Sequence, residues 1–565
     1  MKRNIHIFNY AYFIFYLLPF VFYGQSFTPA NPLPTPPLLA GNFAELRPNH
    51  FHGGLDLKTL GKEGLQVLAA ADGYVSRIKV SPFGYGKMLY ITHANGYVTT
   101  YAHLQKYAPA IEAYVKKKQY EKQTYDIDIL PTETDFVVKQ GDWVGISGNT
   151  GSSQGPHLHF EVRDTSNNGW NPLLFGFNEL TDSTPPEVQQ VIAYPLGEGA
   201  QVEDSAMPRQ VNKTRTPEGV FVSDTLNAIG VVGFGIQSFD RQDGSLNKNG
   251  TYKVTLLLND EPQLQTVFDK VNFDESRYLN ALIDYERYTQ KKGFVQLLYK
   301  LPNNLLESVY PVLKDNKGYL TFEEGKLYTV TIVAEDFKGN ATTIRIPVKG
   351  KKKELKTPRT EYKGGKQLVA TRDNYYELQN GSVYFPENTF YNDISLDIED
   401  DGNSLVIAGG SIPVHKYFTV TMKNTGFTEE EIPQVFIAAS GGWTAPTVYK
   451  DGEFTTKARS LGRFSLRKDT TAPTLKALNF KNKGVVKADV LKLAVSDNLS
   501  GFASCWATLN GEWVLFEYEP KNHTLTFRFS DIDTTKTNTY ELEVKAFDKV
   551  GNVGTLKATF TKPKS

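Results

Sequence analysis

Nine histidines occur in the 565 residues, and six of them (His50, His52, His93, His103, His157 and His159) fall in one segment near the N-terminal end. Three short runs in that segment have the residue types of a metal site. In His52-Gly53-Gly54-Leu55-Asp56 the four-residue offset puts His52 and Asp56 on one face of a strand or a helix, and the paired glycines argue against a helix. His157-Leu158-His159-Phe160-Glu161-Val162 alternates polar and apolar residues, the signature of a strand. His157, His159 and Glu161 would then face one way, with Leu158, Phe160 and Val162 facing a core. Tyr101-Ala102-His103-Leu104 closes another alternating strand. Catalytic zinc takes three protein ligands from His, Asp and Glu and keeps a position for water, so these candidates exceed the need by two. The surplus histidines are free for proton transfer and oxyanion stabilisation.

The elements that must position these residues read as β. Short runs punctuated by glycine cover Val75 to Val80, Met88 to Thr92, Tyr97 to His103, Asp142 to Ser147 and His157 to Val162. Pro109 to Gln119 differs, with Ile111, Tyr114, Val115 and Lys118 at helical spacing behind a proline. It reads as a short helix inserted in a β domain.

Together these segments resemble the lysostaphin-type zinc metallopeptidases of the M23 family, with its His-x-x-x-Asp and His-x-His motifs. The resemblance runs from about Arg47 to Arg163 and takes in the Gly64 to Gly73 run, the Gly84-Tyr85-Gly86 turn and Gly148-Asn149-Thr150-Gly151. It implies that His52, Asp56 and His159 bind Zn2+, and that His103 and His157 are the catalytic pair beside it. His157 would take a proton from the attacking water and His103 would stabilise the oxyanion; the two roles are open to exchange. Gln105 to Phe136 stands where simpler members have a short connection, and reads as an insertion beside the substrate groove, as wall or lid. The bland readings fall elsewhere: His50 at the rim, His93 in a turn, Tyr101 in packing, and Glu161 orienting a neighbour.

The rest of the chain supplies context. Its length suggests roughly three to five domains. Lys plus Arg and Asp plus Glu are 62 each, which favours neither nucleic acid nor an anionic membrane surface as partner. Cys505 is the only cysteine, excluding an internal disulfide framework and any site with two thiolates. Lys2 and Arg3 precede an apolar, aromatic stretch from Ile5 to Gly24, in the order of a secretory signal. That stretch also approaches spanning length, so a retained anchor competes with cleavage. The chain is expected to be exported to the periplasm, cell envelope or exterior.

The expected organisation is mostly β: a signal at 1–24, a stiff proline-rich linker at 25–40, and an antiparallel-sheet peptidase domain of the M23 type at 41–181 with the insertion at 105–136. Tandem Ig-like β-sandwich modules follow. Asp182-Ser183-Thr184-Pro185-Pro186 recurs as Asp469-Thr470-Thr471-Ala472-Pro473, and Asp336-Phe337-Lys338-Gly339-Asn340 recurs as Asp548-Lys549-Val550-Gly551-Asn552. These repeats bound one module at 182–350, with an insertion around Val271 to Tyr319, and another at 468–565. Between them 351–467 is β-rich, of fold not identified from sequence. The leading function is a zinc endopeptidase acting on peptidoglycan. The alternatives are a non-catalytic or autoinhibited envelope scaffold that binds peptidoglycan or a partner hydrolase, and a zinc peptidase acting on proteins. The C-terminal modules would serve an envelope protein partner or the wall itself.

Overall fold

The structure is a computed structural model and describes residues 27–359, 364–440, 442–443 and 445–563. The apolar stretch from Ile5 to Gly24 lies outside the described residues. Among those residues no helix is long and apolar enough to cross a membrane.

The protein is mostly β, with an N-terminal M23-type peptidase domain and several β-sandwich modules behind it. In the first domain the elements used below are β1 (Leu39–Gly41), β2 (Leu55–Lys58), β3 (Gln66–Leu68), β4 (Gly73–Val80), β5 (Lys87–Thr92), β6 (Val98–Ala102), β7 (Lys106–Tyr107), α1 (Pro109–Lys122), β8 (Ile127–Ile129), β9 (Trp143–Ile146), β10 (His157–Arg163), β11 (Asn168–Trp170) and β12 (Lys270–Asn272). The main sheet is antiparallel in the order β1-β2-β10-β6-β5-β4-β8. A small sheet, β3-β9-β7, forms a second layer. Leu158, Phe160 and Val162 of β10 are fully buried in the core with Leu55 and Leu57 of β2. Their alternation with His157, His159 and Glu161 therefore fixes which face the polar set occupies.

Two features set this domain apart from an isolated unit. First, β12 comes from far down the chain yet pairs with β11, and Phe268, Val271, Leu279, Leu282, Ile283, Leu306 and Val309 enter the same core. The insertion expected around Val271 to Tyr319 thus begins by completing the peptidase domain. Second, the proline-rich stretch is no free spacer. The Ala30 amide bonds the Ala70 carbonyl, the Leu68 amide bonds the Pro32 carbonyl, and Leu33 is buried. Extended prolines leave their carbonyls unpaired within the segment, and here the neighbouring backbone takes them up.

Helix α1 has Pro109 at its first turn and ends at Gln123 in the left-handed region. Ile111 and Val115 pack inward. Its polar face meets the C-terminal module: Lys116 pairs with Glu517 at 3.1 Å and Asp531 at 2.9 Å, and the Tyr120 ring meets Trp513 edge-on. That side of the inserted helix is covered by protein, which limits its use as a groove wall.

Downstream, long strands Glu187–Val202 and Leu226–Phe239 anchor a large sheet over its own apolar core. Two five-stranded sheets enclose a third core between Leu368 and Phe464. A four-stranded and a five-stranded sheet enclose the last, from Phe480 to Phe560.

Candidate metal centre

Strand register brings the sequence candidates together. His159 of β10 lies directly across from Asp56 of β2 on one side and Ala102 of β6 on the other, and His103 follows that strand. His52 reaches in from the turn before β2. Gly54 permits the approach, because a Cβ there would sit 2.2 Å from the Phe160 carbonyl oxygen. His103 itself has a φ of 59°, a left-handed conformation that a non-glycine residue adopts at a cost of about 1 kcal/mol. The backbone turns there at the end of β6, and the His103 amide is held by the Tyr85 carbonyl at 2.9 Å.

His52, Asp56 and His159 form a buried group whose ligand atoms all lie within 4.8 Å of one another. The Asp56 Oδ1 is 3.0 Å from His52 Nε2 and 2.9 Å from His159 Nδ1, and those two nitrogens are 3.0 Å apart. Each ring's other nitrogen is already committed. His52 Nδ1 donates to the Asn42 carbonyl at 2.6 Å, and His159 Nε2 donates to Glu161 Oε1 at 2.8 Å. With each ring neutral and its proton on the outer nitrogen, the tautomer those outer acceptors favour, the inward nitrogens present lone pairs to a common point beside a carboxylate oxygen. That point calls for positive charge, a proton or a metal ion. Two imidazoles and a carboxylate are the donor set that suits zinc, so these residues fit it.

The electrostatics agree. Burial alone would raise Asp56, but His52, with hydrogen bonds from His157, His159 and His52, holds it well below the usual carboxylate range. Burial pulls His159 down, yet the bonds and charges of Asp56 and Glu161 lift it to about 9, so without a metal a proton lies between His159 Nδ1 and Asp56, in the place a cation would take. The two carboxylates thus demand positive charge at the centre of the cradle. Burial lowers His52.

A ring of supporting residues surrounds the cradle. Glu161 is fully buried and satisfied on both oxygens. Oε1 accepts from His159 and from the Tyr85 hydroxyl at 2.8 Å; Oε2 accepts from Thr100 Oγ1 at 3.0 Å and from Arg163. Burial would raise its carboxyl, but Arg163 and His159 keep it ionised, far below its ordinary value. Arg47 donates to the other Asp56 oxygen, Oδ2, at 2.6 Å. His103 Nδ1 bonds the Thr150 carbonyl at 2.8 Å, and His157 Nδ1 bonds the Gly155 carbonyl at 2.8 Å with Ser153 Oγ at 3.2 Å. One loop, from Gly148 to Gly155, therefore aims both remaining histidines inward. His157 Nε2 comes 3.2 Å from Asp56 Oδ1, and the His103 and His157 rings are 4.8 Å apart. Burial, then the neighbouring His159 and His157, push His103 down to about 3.

Other candidates lie apart from the cradle. His50 is exposed and bonds the Pro48 carbonyl, His93 is buried between the Asp72 carbonyl and Thr99, and Tyr101 packs on Phe160. Tyr85, Arg47 and Arg163 were not singled out by sequence. Tyr85 lies within a turn read for its glycines; Arg163 stands two residues after Glu161 on β10 and so shares its face, a signal that alternation carried and that was passed over.

Comparison with known proteins fits this geometry. Residues 50–120 match the model of Peptidase family M23, and residues 365–469 match that of the Zu5-like domain, which describes the stretch whose fold the sequence left open. The chain therefore carries an M23-family zinc-metallopeptidase domain followed by β-sandwich modules. It is similar to the DD-carboxypeptidase/endopeptidase Mpg of Neisseria meningitidis serogroup B, 34% identical over 113 residues, which is 20% of this chain and 20% of that protein. It is also similar to the peptidoglycan DD-endopeptidase ShyC of Vibrio cholerae, 33% identical over 110 residues, covering 20% of this chain and 19% of that one. The matched segment thus spans about a fifth of these relatives. Among solved structures, the catalytic domain of the prophage-encoded M23 protein EnpA from Enterococcus faecalis aligns at 23% identity over 26% of this chain and 95% of that one, with a TM-score of 0.19.

Proposed function

We propose that this protein is an exported zinc-dependent endopeptidase that hydrolyses peptide bonds in peptidoglycan. The observation that carries the reading is the convergence of three metal-ligating donor atoms beside two further inward-facing histidines. His52 Nε2, Asp56 Oδ1 and His159 Nδ1 would hold the zinc. When bound, zinc supplies a Lewis acid that polarises a carbonyl and acidifies water.

The chain's own residues account for the rest. Glu161 and the Asn42 carbonyl hold the two ligand rings in the tautomer that turns a lone pair inward. His103, with its Nδ1 proton given to Thr150, presents an accepting Nε2 and is suited to orient the attacking water by accepting its hydrogen bond. His157 has an acceptor beside each ring nitrogen, the Gly155 carbonyl and Asp56 Oδ1. It is suited to donate to the oxyanion and then to the leaving amine. This exchanges the two roles first assigned from the resemblance. The peptidoglycan substrate rests on the names of the Neisseria and Vibrio relatives, and export on the N-terminal stretch.

The test is digestion of purified peptidoglycan and, in parallel, of an unfolded protein substrate by the zinc-loaded protein. New amino termini released from peptidoglycan alone support the proposal. Release from the protein substrate alone would move the activity to general proteolysis.

A further inference from the structure

Two of the repeated sequence signals converge in space, and they do so twice. Asp182, Asp240 and Asp336 place carboxylate oxygens within 4.8 Å of one another at the base of the 182–350 module; Asp469, Asp497 and Asp548 do the same at the base of the last module. The frames correspond bond for bond. Asn340 Nδ2 donates to the Asp182 carbonyl at 3.1 Å and to Asp336 Oδ2 at 2.6 Å, while Asn552 Nδ2 donates to the Asp469 carbonyl at 2.9 Å and to Asp548 Oδ2 at 2.7 Å. Asp240 and Asp497, which the repeat in sequence did not reveal, each follow a strand and complete the trio.

We propose that each trio is a binding site for a hard divalent cation, with calcium the best fit. Three carboxylates converge in each with Lys338 the cation that acts on Asp182 in the first and Lys549 the one that faces Asp497 in the second, one cation against three carboxylates in each, and Asp240 and Asp497 come with unspent oxygens. Asp240 is only 7% exposed, yet its Oδ1 has no hydrogen-bond partner. In the second trio Asp497 is half-buried but its Oδ1 is out of solvent and has no partner among the described residues, nor has the Oγ of buried Ser500, whose backbone amide bonds Asp469 Oδ2 at 2.8 Å. An unpaired carboxylate oxygen out of water is costly, and a cation removes that cost. Oxygens on one calcium at about 2.4 Å lie at most about 4.8 Å apart, and the oxygens of each trio fall within that limit. The donors are all oxygen, with neither imidazole nor thiolate, which selects calcium or magnesium over zinc. They hang from strand ends and turns, and such adaptable frames suit the six to eight ligands of calcium better than the strict octahedron of magnesium.

The first site also reaches the cradle. Asp240 and Asn249 exchange backbone bonds across a closed loop, and Gly250 just beyond it bonds Asn42 on both sides, whose carbonyl holds His52.

The test is calcium binding to the full zinc-loaded chain by calorimetry, with CaCl2 added in metal-stripped buffer at pH 7.5. Two equivalents are expected, one lost in Asp240→Asn and the other in Asp497→Asn, with far-ultraviolet circular dichroism unchanged. Calcium should also raise the melting temperature of the unmutated chain and not that of the double variant. No uptake at millimolar calcium, or equal uptake by the double variant, would overturn the proposal. Loss of one equivalent with Asp240→Asn alone would overturn the second site and keep the first.

Discussion

At the histidine cradle Asp56 and His159 are aimed by strands, His52 by a turn, and all three are fixed by a second bond, whereas at the aspartate trios the donors hang from strand ends and turns, and some oxygens have no partner among the described residues. His159 is held between Asp56 and Glu161 by sheet register, and His52 is pinned by Asn42. Asp240 and Asp497 have no comparable support at their free oxygens. The difference tracks the demands of the cations. A borderline ion with tetrahedral preference is served by preset directions; a large, hard ion tolerates loose oxygens that it gathers itself. Rigidity at the cradle also serves chemistry, because bond cleavage needs the two further histidines at fixed distance.

The comparison breaks most visibly where chemistry and binding separate. His103→Ala should retain zinc and lower peptidoglycan cleavage by about 10²–10⁴-fold, since it removes the acceptor that orients the water and no ligand; zinc loss in this variant, read by elemental analysis, would contradict the division of roles. Glu161→Gln should weaken zinc binding about 10–100-fold by loosening the His159 ring. It should also lower the melting temperature, because Arg163 would be left buried without its carboxylate. Asp336 is held within its own turn, by the Asn340 amide and Nδ2, so Asp336→Asn should reduce calcium affinity while leaving zinc content unchanged.

Acidity sharpens the contrast further. The folded pKa of Asp240 lies above its ordinary value, so its contribution to stability is present at low pH and is lost as pH rises through about 7. In calcium-free buffer the unmutated chain should therefore lose roughly 5 °C in melting temperature relative to Asp240→Asn between pH 5 and pH 8. Calcium should restore the loss, more fully at the higher pH. The smallest effect belongs to Tyr85→Phe, which removes one of four bonds to Glu161 and should lower cleavage by about five-fold or less, with zinc content intact.

Much of the cradle was legible in sequence because strand alternation is a strong code. Leu158, Phe160 and Val162 enter the core, and that alone turns His157, His159 and Glu161 to the other face. The residues that escaped notice act across long separations or from turns. Arg47 meets Asp56 through a bend, Tyr85 reaches Glu161 from a turn, and Asn42 presents only a carbonyl. The completion of the peptidase core by Val271 and Leu279 was hidden for the same reason: local periodicity says where a side chain points and not which distant surface it meets. The aspartate trios lie between these extremes. Their repeated outer members stood out, and their third members, Asp240 and Asp497, needed the fold.

The most direct test of the central claim is the zinc content of the full chain, unmutated and as His159→Ala, by elemental analysis after exchange into metal-stripped buffer. The account predicts about one tightly held zinc per unmutated chain and none in a folded His159→Ala protein. No zinc in either, or equal zinc in both, would contradict it.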